Sequence, residues 1–189
     1  MLKKVVFLDR DGVINYDSLN YIKNLDEFIL IPGSLSAISK LSREGYAVFV
    51  ITNQSAIARK LADITIINDI HQYLKNSVQN AGGHINGIYF CPHHPEQGCR
   101  CRKPRTGLID QAVLENHIDI GSSVMVGDKL TDIECAKRAG CKHAYLVMTG
   151  IVNPLKENKN NLFNDFYQKA KSLFHAVDLL VFEDKRKCR

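Results

Sequence analysis

Five short apolar runs recur along the chain, each too brief for a helix, with segments of helical period or turn residues between them. Val5 to Leu8, Ala47 to Ile51, Ile85 to Phe90, Ser123 to Val126 and His143 to Val147 are rich in β-branched and aromatic residues and read as buried strands. Ser34 to Glu44 follows Pro32-Gly33 and sets Leu35, Ile38 and Leu41 on one helical stripe. From Leu61 to about Ala81, the residues Leu61, Ile64, Ile67, Ile70, Leu74 and Val78 keep helix spacing against a polar face, and Gly82-Gly83 ends the segment. Leu108 to Asn116 predicts a short helix. Another opens at Thr131, where Glu134 gives a capping-box spacing, and Gly140 closes it. Strands alternating with helices need crossover connections. The pattern therefore predicts an α/β protein with a mainly parallel sheet covered on both faces.

At 189 residues the chain suits a single domain with a full core, over 1–189. Its C-terminal extension, from about 153 to 189, starts with a polar connection, Asn153 to Asn161. Leu162 to Phe174 then places Phe163, Phe166, Ala170 and Leu173 at the spacing of a docked helix, while Ala176 to Phe182 fits strand or helix.

In an open α/β sheet, ligands bind beyond the carboxyl ends of the strands. Asp9, Thr52 and Asp128 stand at three such ends, and a loop between them carries Lys103. In Asp9-Arg10-Asp11-Gly12, two carboxylates two residues apart can share a metal and a phosphate, one attacking while the other handles protons. A solvated acidic turn has the same spacing. Asp128 at a second strand end is what points to Mg²⁺, which takes a few carboxylates plus phosphate oxygens and water. Thr52, with Asn53, Gln54 and Ser55 after it, offers a hydroxyl and backbone N–H groups for phosphate oxygens. The compact ammonium of Lys103, in a loop stiffened by Pro104, suits neutralising phosphate, and Lys129 adds a further charge.

Three of the six cysteines, Cys91, Cys99 and Cys101, fall within eleven residues, beside His93 and His94. That is a local metal pattern, not a disulfide framework. A closed structural zinc site takes four such ligands, and Cys91, His93, Cys99 and Cys101 are the best set, with His94 the spare, facing solvent or substrate. Arg102 and Lys103 follow Cys101 directly, so a zinc loop over 91–101 would fix their placement. Cys135, Cys141, His71, His117 and His175 read as packing or surface residues.

The net charge of +5 is modest, and the basic residues are dispersed except around Arg100 to Arg105 and in the tail Lys185 to Arg189, which argues against nucleic acid as partner. No apolar run approaches the roughly 20 residues of a membrane span. Asp9 cuts the N-terminal apolar run too early for a signal peptide. A cytoplasmic monomer without membrane partners is the expectation.

VVFLDRDGVIN, VITNQS, CRKP and MVGDKLTD, in this order over roughly 5–150, resemble the four signature motifs of the haloacid dehalogenase-like (HAD-like) phosphohydrolases. More narrowly, LDRDGVIN, TNQSAIAR, CPHHP, CRCRKP and VGDKLTD resemble the heptose bisphosphate phosphatases and their histidinol-phosphate phosphatase relatives. The resemblance implies a three-layer Rossmann-like fold with a minimal cap, Mg²⁺ as cofactor, structural Zn²⁺ on the four ligands above, and a place in carbohydrate metabolism. It implies that Asp9 is the nucleophile and that Asp11 protonates the leaving alcohol and then activates water. Thr52 and Lys103 would hold the transferring phosphoryl, and Asp128 would bind Mg²⁺ with Asp9 and the backbone carbonyl of Asp11. Arg102 would contribute to recognition, and Asn53, Gln54, Ser55 and Arg59 would line the site with Asp17, Ser18, Leu19 and Asn20.

The stretch from Gly12 to Pro32 is too short for a separate cap domain, so the site should be open and shaped by loops. Two features depart from the heptose-type pattern: a short link, Pro95-Glu96-Gln97-Gly98, and Ala56 and Lys60 where glycines are common. The expected activity is removal of the 7-phosphate of D-glycero-D-manno-heptose 1,7-bisphosphate through an aspartyl-phosphate. Histidinol phosphate or another small sugar or alcohol phosphate is the alternative. A non-catalytic, zinc-stabilised binding module is the remote one, disfavoured because every catalytic position is filled.

Overall fold

Successive side chains of a strand point to opposite faces, so a strand apolar throughout must be covered on both. In the computed structural model, which describes residues 2, 4–151 and 165–187, β1 (Val5–Leu8) meets that demand at the middle of the sheet, with all four side chains buried. Val6 and Leu8 enter one core with residues of α1 (Ser34–Arg43), α2 (Ile64–Asn80) and α5 (Leu173–Lys187). Val5 and Phe7 enter the other, with Leu108, Ile109 and Ala112 of α3 (Gly107–Asn116) and Ile133, Cys135 and Ala136 of α4 (Leu130–Ala139). Three layers result: three helices, sheet, two helices.

Among the described residues the sheet has six parallel strands in the order β3-β2-β1-β4-β5-β6. They are β1, β2 (Ala47–Asn53), β3 (Gly87–Cys91), β4 (Val124–Gly127), β5 (His143–Val147) and β6 (Tyr167–Ala170). The chain winds outward from β1 through β2 to β3, then returns to lay β4 against the other side of β1. The strand order therefore reverses between β1 and β4, where an open sheet leaves a crevice at its carboxyl edge. The registers Leu8↔Val50 and Leu8↔Val126 set these three residues level, so Asp9, Thr52 and Asp128 follow within two residues of one line.

Several elements differ from their sequence expectation. The helix expected from Leu61 starts at Ile64. Asp63 holds extended backbone as its N-cap, and Leu61 lies in the preceding turn, exposed despite its place in the apolar stripe. In α4 the cap is made by Asp132, not by Thr131 and Glu134: its Oδ2 accepts from the Lys129 N–H at 3.0 Å. The Leu162 to Phe174 expectation falls partly outside the described residues, as does the whole Asn153 to Asn161 connection. Its described part is not one helix, because Tyr167–Ala170 is the edge strand β6, paired with β5. Phe166, Ala170 and Leu173 share helical spacing by coincidence. A short edge strand with exposed Gln168 and Lys169 takes its identity from the β5 edge it pairs with, which local periodicity does not report. Ala176 to Phe182 is helical, within α5, where Leu173, Ala176, Val177, Leu180 and Val181 make the buried stripe. Among the described residues no helix is long and apolar enough to cross a membrane.

Candidate active site

At the carboxyl edge the chain leaves each strand on a polar residue, and the sheet holds these residues together. Asp9 follows β1 and donates its backbone N–H to Val126 O at 2.9 Å, which ties it to the end of β4. Gly12 turns the chain away with φ of 83°, and a Cβ there would sit on the Asp128 carboxylate. A cleft of about 530 Å³ opens over this edge. Among its lining residues are Asp9, Asp11, Asp17, Ser18, Leu19, Thr52, Asn53, Gln54, Arg102, Lys103, Lys129 and Asp132. Asp128, fully buried, lies beneath Gly12. Asn20, Ser55 and Arg59 are not among the lining residues, though the Arg59 guanidinium lies 5.5 Å from the ring of Tyr21, which is.

Lys103 Nζ lies 2.8 Å from Asp9 Oδ1 and 2.6 Å from Asp132 Oδ1, with almost no solvent on any of the three. Burial works to lower the Lys103 pKa, but Asp132 and Asp9 outweigh it and the ammonium is held charged, above its ordinary value. Asp9 is pushed up by burial, against the pull of Lys103. The Lys103 backbone is fixed by Asn53, whose Oδ1 accepts from Lys103 N at 3.1 Å and whose Nδ2 donates to Lys103 O at 3.3 Å. Asn53 thus reaches the site by gripping the lysine's loop as well as by lining the cleft.

Asp9, Asp128 and Asp132 bring carboxylate oxygens within 4.8 Å of one another, all buried. Burial, then Asp132 and Asp9, push the Asp128 pKa to about 8, and both its oxygens lack a hydrogen-bond partner. Three buried carboxylates around orphaned oxygens fit a hard divalent cation such as Mg²⁺. The Asp11 carboxylate is not in this group. It points instead into a clamp: Oδ1 accepts from Arg10 Nε at 3.0 Å, Arg10 Nη2 at 2.8 Å and Asn15 Nδ2 at 2.8 Å. Oδ2 accepts from Arg10 Nη2 at 3.0 Å and Gln54 Nε2 at 2.8 Å. Burial tends to raise this carboxyl, but Arg10 with the Asn15 and Gln54 hydrogen bonds holds it below its usual value. Gln54 Nε2 also donates to Thr52 Oγ1 at 2.9 Å, linking the Asp11 clamp to the end of β2.

Opposite Asp128, Lys129 Nζ lies 2.9 Å from Asp17 Oδ2 and 3.7 Å from Asp128 Oδ2, bridging the 16–22 loop to the start of α4. Arg102 Nη1 is buried without a hydrogen-bond partner. Sequence reasoning did not single out Asp132 or Arg10. Asp132 stands in the first turn of α4, four residues after Asp128 in the same motif, and that closeness was the available signal. Arg10 is fully buried between two carboxylates of the same motif, which spacing alone does not reveal.

Cys91 ends β3, and the loop after it folds back so that four donors converge. Cys91 Sγ is 3.6 Å from His93 Nδ1 and 3.5 Å from Cys99 Sγ, and Cys101 Sγ is 3.2 Å from His93 Nδ1 and 3.5 Å from Cys99 Sγ. These separations are close to the edges of a tetrahedron with Zn–S near 2.3 Å and Zn–N near 2.0 Å, so the group could hold zinc. His94 is outside the group. Its ring accepts from Glu96 N at 3.4 Å and caps the turn Pro95–Gln97.

A HAD-hydrolase-like family profile matches residues 100–170. A D-glycero-beta-D-manno-heptose-1,7-bisphosphate 7-phosphatase of Pseudomonas aeruginosa is 41% identical over 178 residues, covering 92% of this chain and 99% of the relative. This chain belongs to that phosphatase family. The Pseudomonas putida member is 45% identical over 148 residues, 78% of this chain and 83% of its own length. The Bordetella bronchiseptica D,D-heptose 1,7-bisphosphate phosphatase, solved with magnesium and phosphate, superposes with a TM-score of 0.88 at 36% identity, covering 95% of this chain and 99% of that one. Membership of this heptose bisphosphate phosphatase family carries the HAD-like fold and phosphoric monoester hydrolase chemistry with it.

Proposed function

We propose that this protein removes the 7-phosphate of D-glycero-β-D-manno-heptose 1,7-bisphosphate through an aspartyl-phosphate on Asp9. The observation that carries the reading is the buried contact of 2.8 Å between Asp9 and Lys103, both of which line the cleft. It pulls the carboxylate toward its ionised form against burial and places a positive charge where a phosphoryl group would meet it. An oxygen of Asp9 attacks phosphorus in line, and the bond from phosphorus to the sugar oxygen breaks as Asp11, turned out of the Arg10 clamp and protonated, gives that oxygen a proton. Water then attacks the aspartyl-phosphate, its proton goes to Asp11, and the bond between Asp9 and phosphorus breaks to release inorganic phosphate. Lys103 and the Thr52 hydroxyl hold the phosphoryl oxygens through both steps. Mg²⁺, held by Asp9, Asp128 and the Asp11 carbonyl with Asp132 close by, would supply further positive charge against the phosphoryl group.

Arg102, with its unpaired buried nitrogen, and Lys129 would take the polar remainder of the substrate with the segment Asp17 to Asn20. Asn53, Gln54, Ser55 and Arg59 support the walls. Zn²⁺ on Cys91, His93, Cys99 and Cys101 would hold the loop that carries Arg102 and Lys103. Three thiols kept as metal ligands suit a reducing compartment, and we place the protein in the cytoplasm. One feature favours a second reading: the four-residue link from Pro95 to Gly98 matches the shorter loops of histidinol-phosphate phosphatases.

A phosphate-release panel of the α and β heptose 1,7-bisphosphates, fructose 1,6-bisphosphate and histidinol phosphate decides between them. We expect kcat/KM for the β heptose bisphosphate to exceed the others by more than about tenfold, or 1.4 kcal/mol in barrier. A preference of that size for histidinol phosphate would replace the first reading with the second. Asp9→Asn should abolish turnover of every member of the panel.

A further inference from the structure

His71 lies on the buried face of α2, outside the lining of the cleft, yet it is not merely a core residue. Its Nε2 lies 3.2 Å from Nη1 of Arg10. Arginine has only donors, so Nε2 accepts, and the ring is the neutral tautomer protonated on Nδ1. Arg10 is fully buried, and its other edge, Nε and Nη2, grips both oxygens of Asp11. Phe28 supports the guanidinium at 5.5 Å from its ring centroid.

This arrangement bears on how Asp11 can move a proton. Both its oxygens accept donors from Arg10, so neither can face a leaving group without giving up part of the fork. Arg10 must stay in place while Asp11 turns and must be there when it returns. The same edge also donates from Nη2 to Gln54 Oε1 at 3.0 Å, but that amide is itself bonded to Asp11 at 2.8 Å, so a guanidinium held only on this edge would follow the carboxylate. His71 ties down the far nitrogen with a neutral acceptor, which leaves the Asp11 edge free to release and recapture.

We propose that His71 is a positioning residue for proton transfer, acting through Arg10 on Asp11. The proposal rests on the reading of Asp11 as the general acid and base. The proton still passes from the Asp11 carboxyl to the sugar oxygen as the bond from that oxygen to phosphorus breaks. His71 itself gains and loses nothing.

The test compares heptose 1,7-bisphosphate, whose alcohol leaving group needs a proton, with p-nitrophenyl phosphate, whose leaving group does not. Asp11→Asn is the reference: in kcat/KM, which reports formation of the aspartyl-phosphate and not the hydrolysis step both substrates share, it should lose about 10² or more on the sugar phosphate, with a much smaller loss on the aryl ester. His71→Leu removes the acceptor and should reproduce that selectivity, losing about tenfold or more on the sugar phosphate and markedly less on the aryl ester. His71→Gln, which keeps a neutral acceptor, should recover most of the rate. His71→Met provides the same test if leucine is not accommodated. Equal losses on both substrates, or none, overturn the proposal. So does a chain that folds only with an acceptor at position 71, which would make the contact structural. Should Asp11→Asn itself lack the selectivity, the assignment of Asp11 fails and this proposal falls with it for a distinguishable reason.

Discussion

Lys103 is gripped from two sides, by Asp9 at 2.8 Å and Asp132 at 2.6 Å, and the second grip decides whether the first is productive. Asp132 holds the ammonium before any phosphate arrives, so its position is set by a residue that takes no part in bond making. Asp132→Asn keeps the shape, and its side-chain oxygen can still cap α4, but the charge is lost. Lys103 would then be drawn wholly onto Asp9, and one carboxylate would leave the group of three. We expect kcat at saturating Mg²⁺ to fall by about 10–100-fold, as when the support of a liganding or catalytic group is removed. The Mg²⁺ concentration giving half-maximal rate should also rise. A magnesium titration of turnover measures both, and a rate within twofold of the parent would count against the pin. Asp9, Asp128 and Lys103 were legible because each stands in a motif at a strand end or in a loop. Asp132 was not, since an acidic residue early in a helix is ordinarily a cap. Here it is both, with Oδ2 on the Lys129 N–H and Oδ1 on Lys103. No single-residue pattern separates those two duties.

At the scale of elements, the loop from Cys91 to Lys103 is the least regular part of the site and holds its most exacting group. It has no helix or sheet of its own beyond the short turn Pro95–Gln97, so its geometry depends on the four clustered donors and on Asn53 gripping the Lys103 backbone. Cys101→Ser, or removal of zinc by a chelator, should therefore lower kcat without unfolding the sheet. Zinc content, circular dichroism and turnover measured on the same sample check this, and normal turnover in a verified zinc-free protein would reject it. Gly12 gives a contrasting case at the turn after β1. Gly12→Ala places a methyl on Asp128 in a backbone conformation with φ of 83° that alanine resists. Turnover should drop and the melting temperature should fall by several degrees, about what 1–2 kcal/mol gives in a domain of this size. The central strands were readable because burial on both faces leaves unbroken apolar runs. The edge strand β6 was not readable, because only the partner β5 makes Tyr-Gln-Lys-Ala a strand.

For the whole molecule, the buried Arg10–His71 contact ties stability to pH. Burial first, and then the Arg10 charge, hold the His71 pKa down at about 3, whereas an unfolded histidine titrates near 6.5. Between those values the unfolded chain binds the extra proton and the folded one does not, so stability is present above about pH 6.5 and is lost as pH falls toward 3. From pH 7 to pH 5 this one group should cost about 2 kcal/mol, since each unit of separation is worth about 1.4 kcal/mol. Other groups titrate over the same range, the raised carboxylates of Asp9 and Asp128 with the opposite slope. The total pH dependence therefore does not isolate residue 71, whereas the difference between the parent and His71→Gln at fixed Mg²⁺ does. The glutamine keeps an acceptor for Arg10 but cannot take a proton. Urea midpoints at pH 7 and pH 5 should show the parent losing about 2 kcal/mol more than the variant. Equal losses would mean that the folded protein can accommodate a charged His71 beside Arg10. The short contact between the two would then have to open in acid without loosening the fold around it.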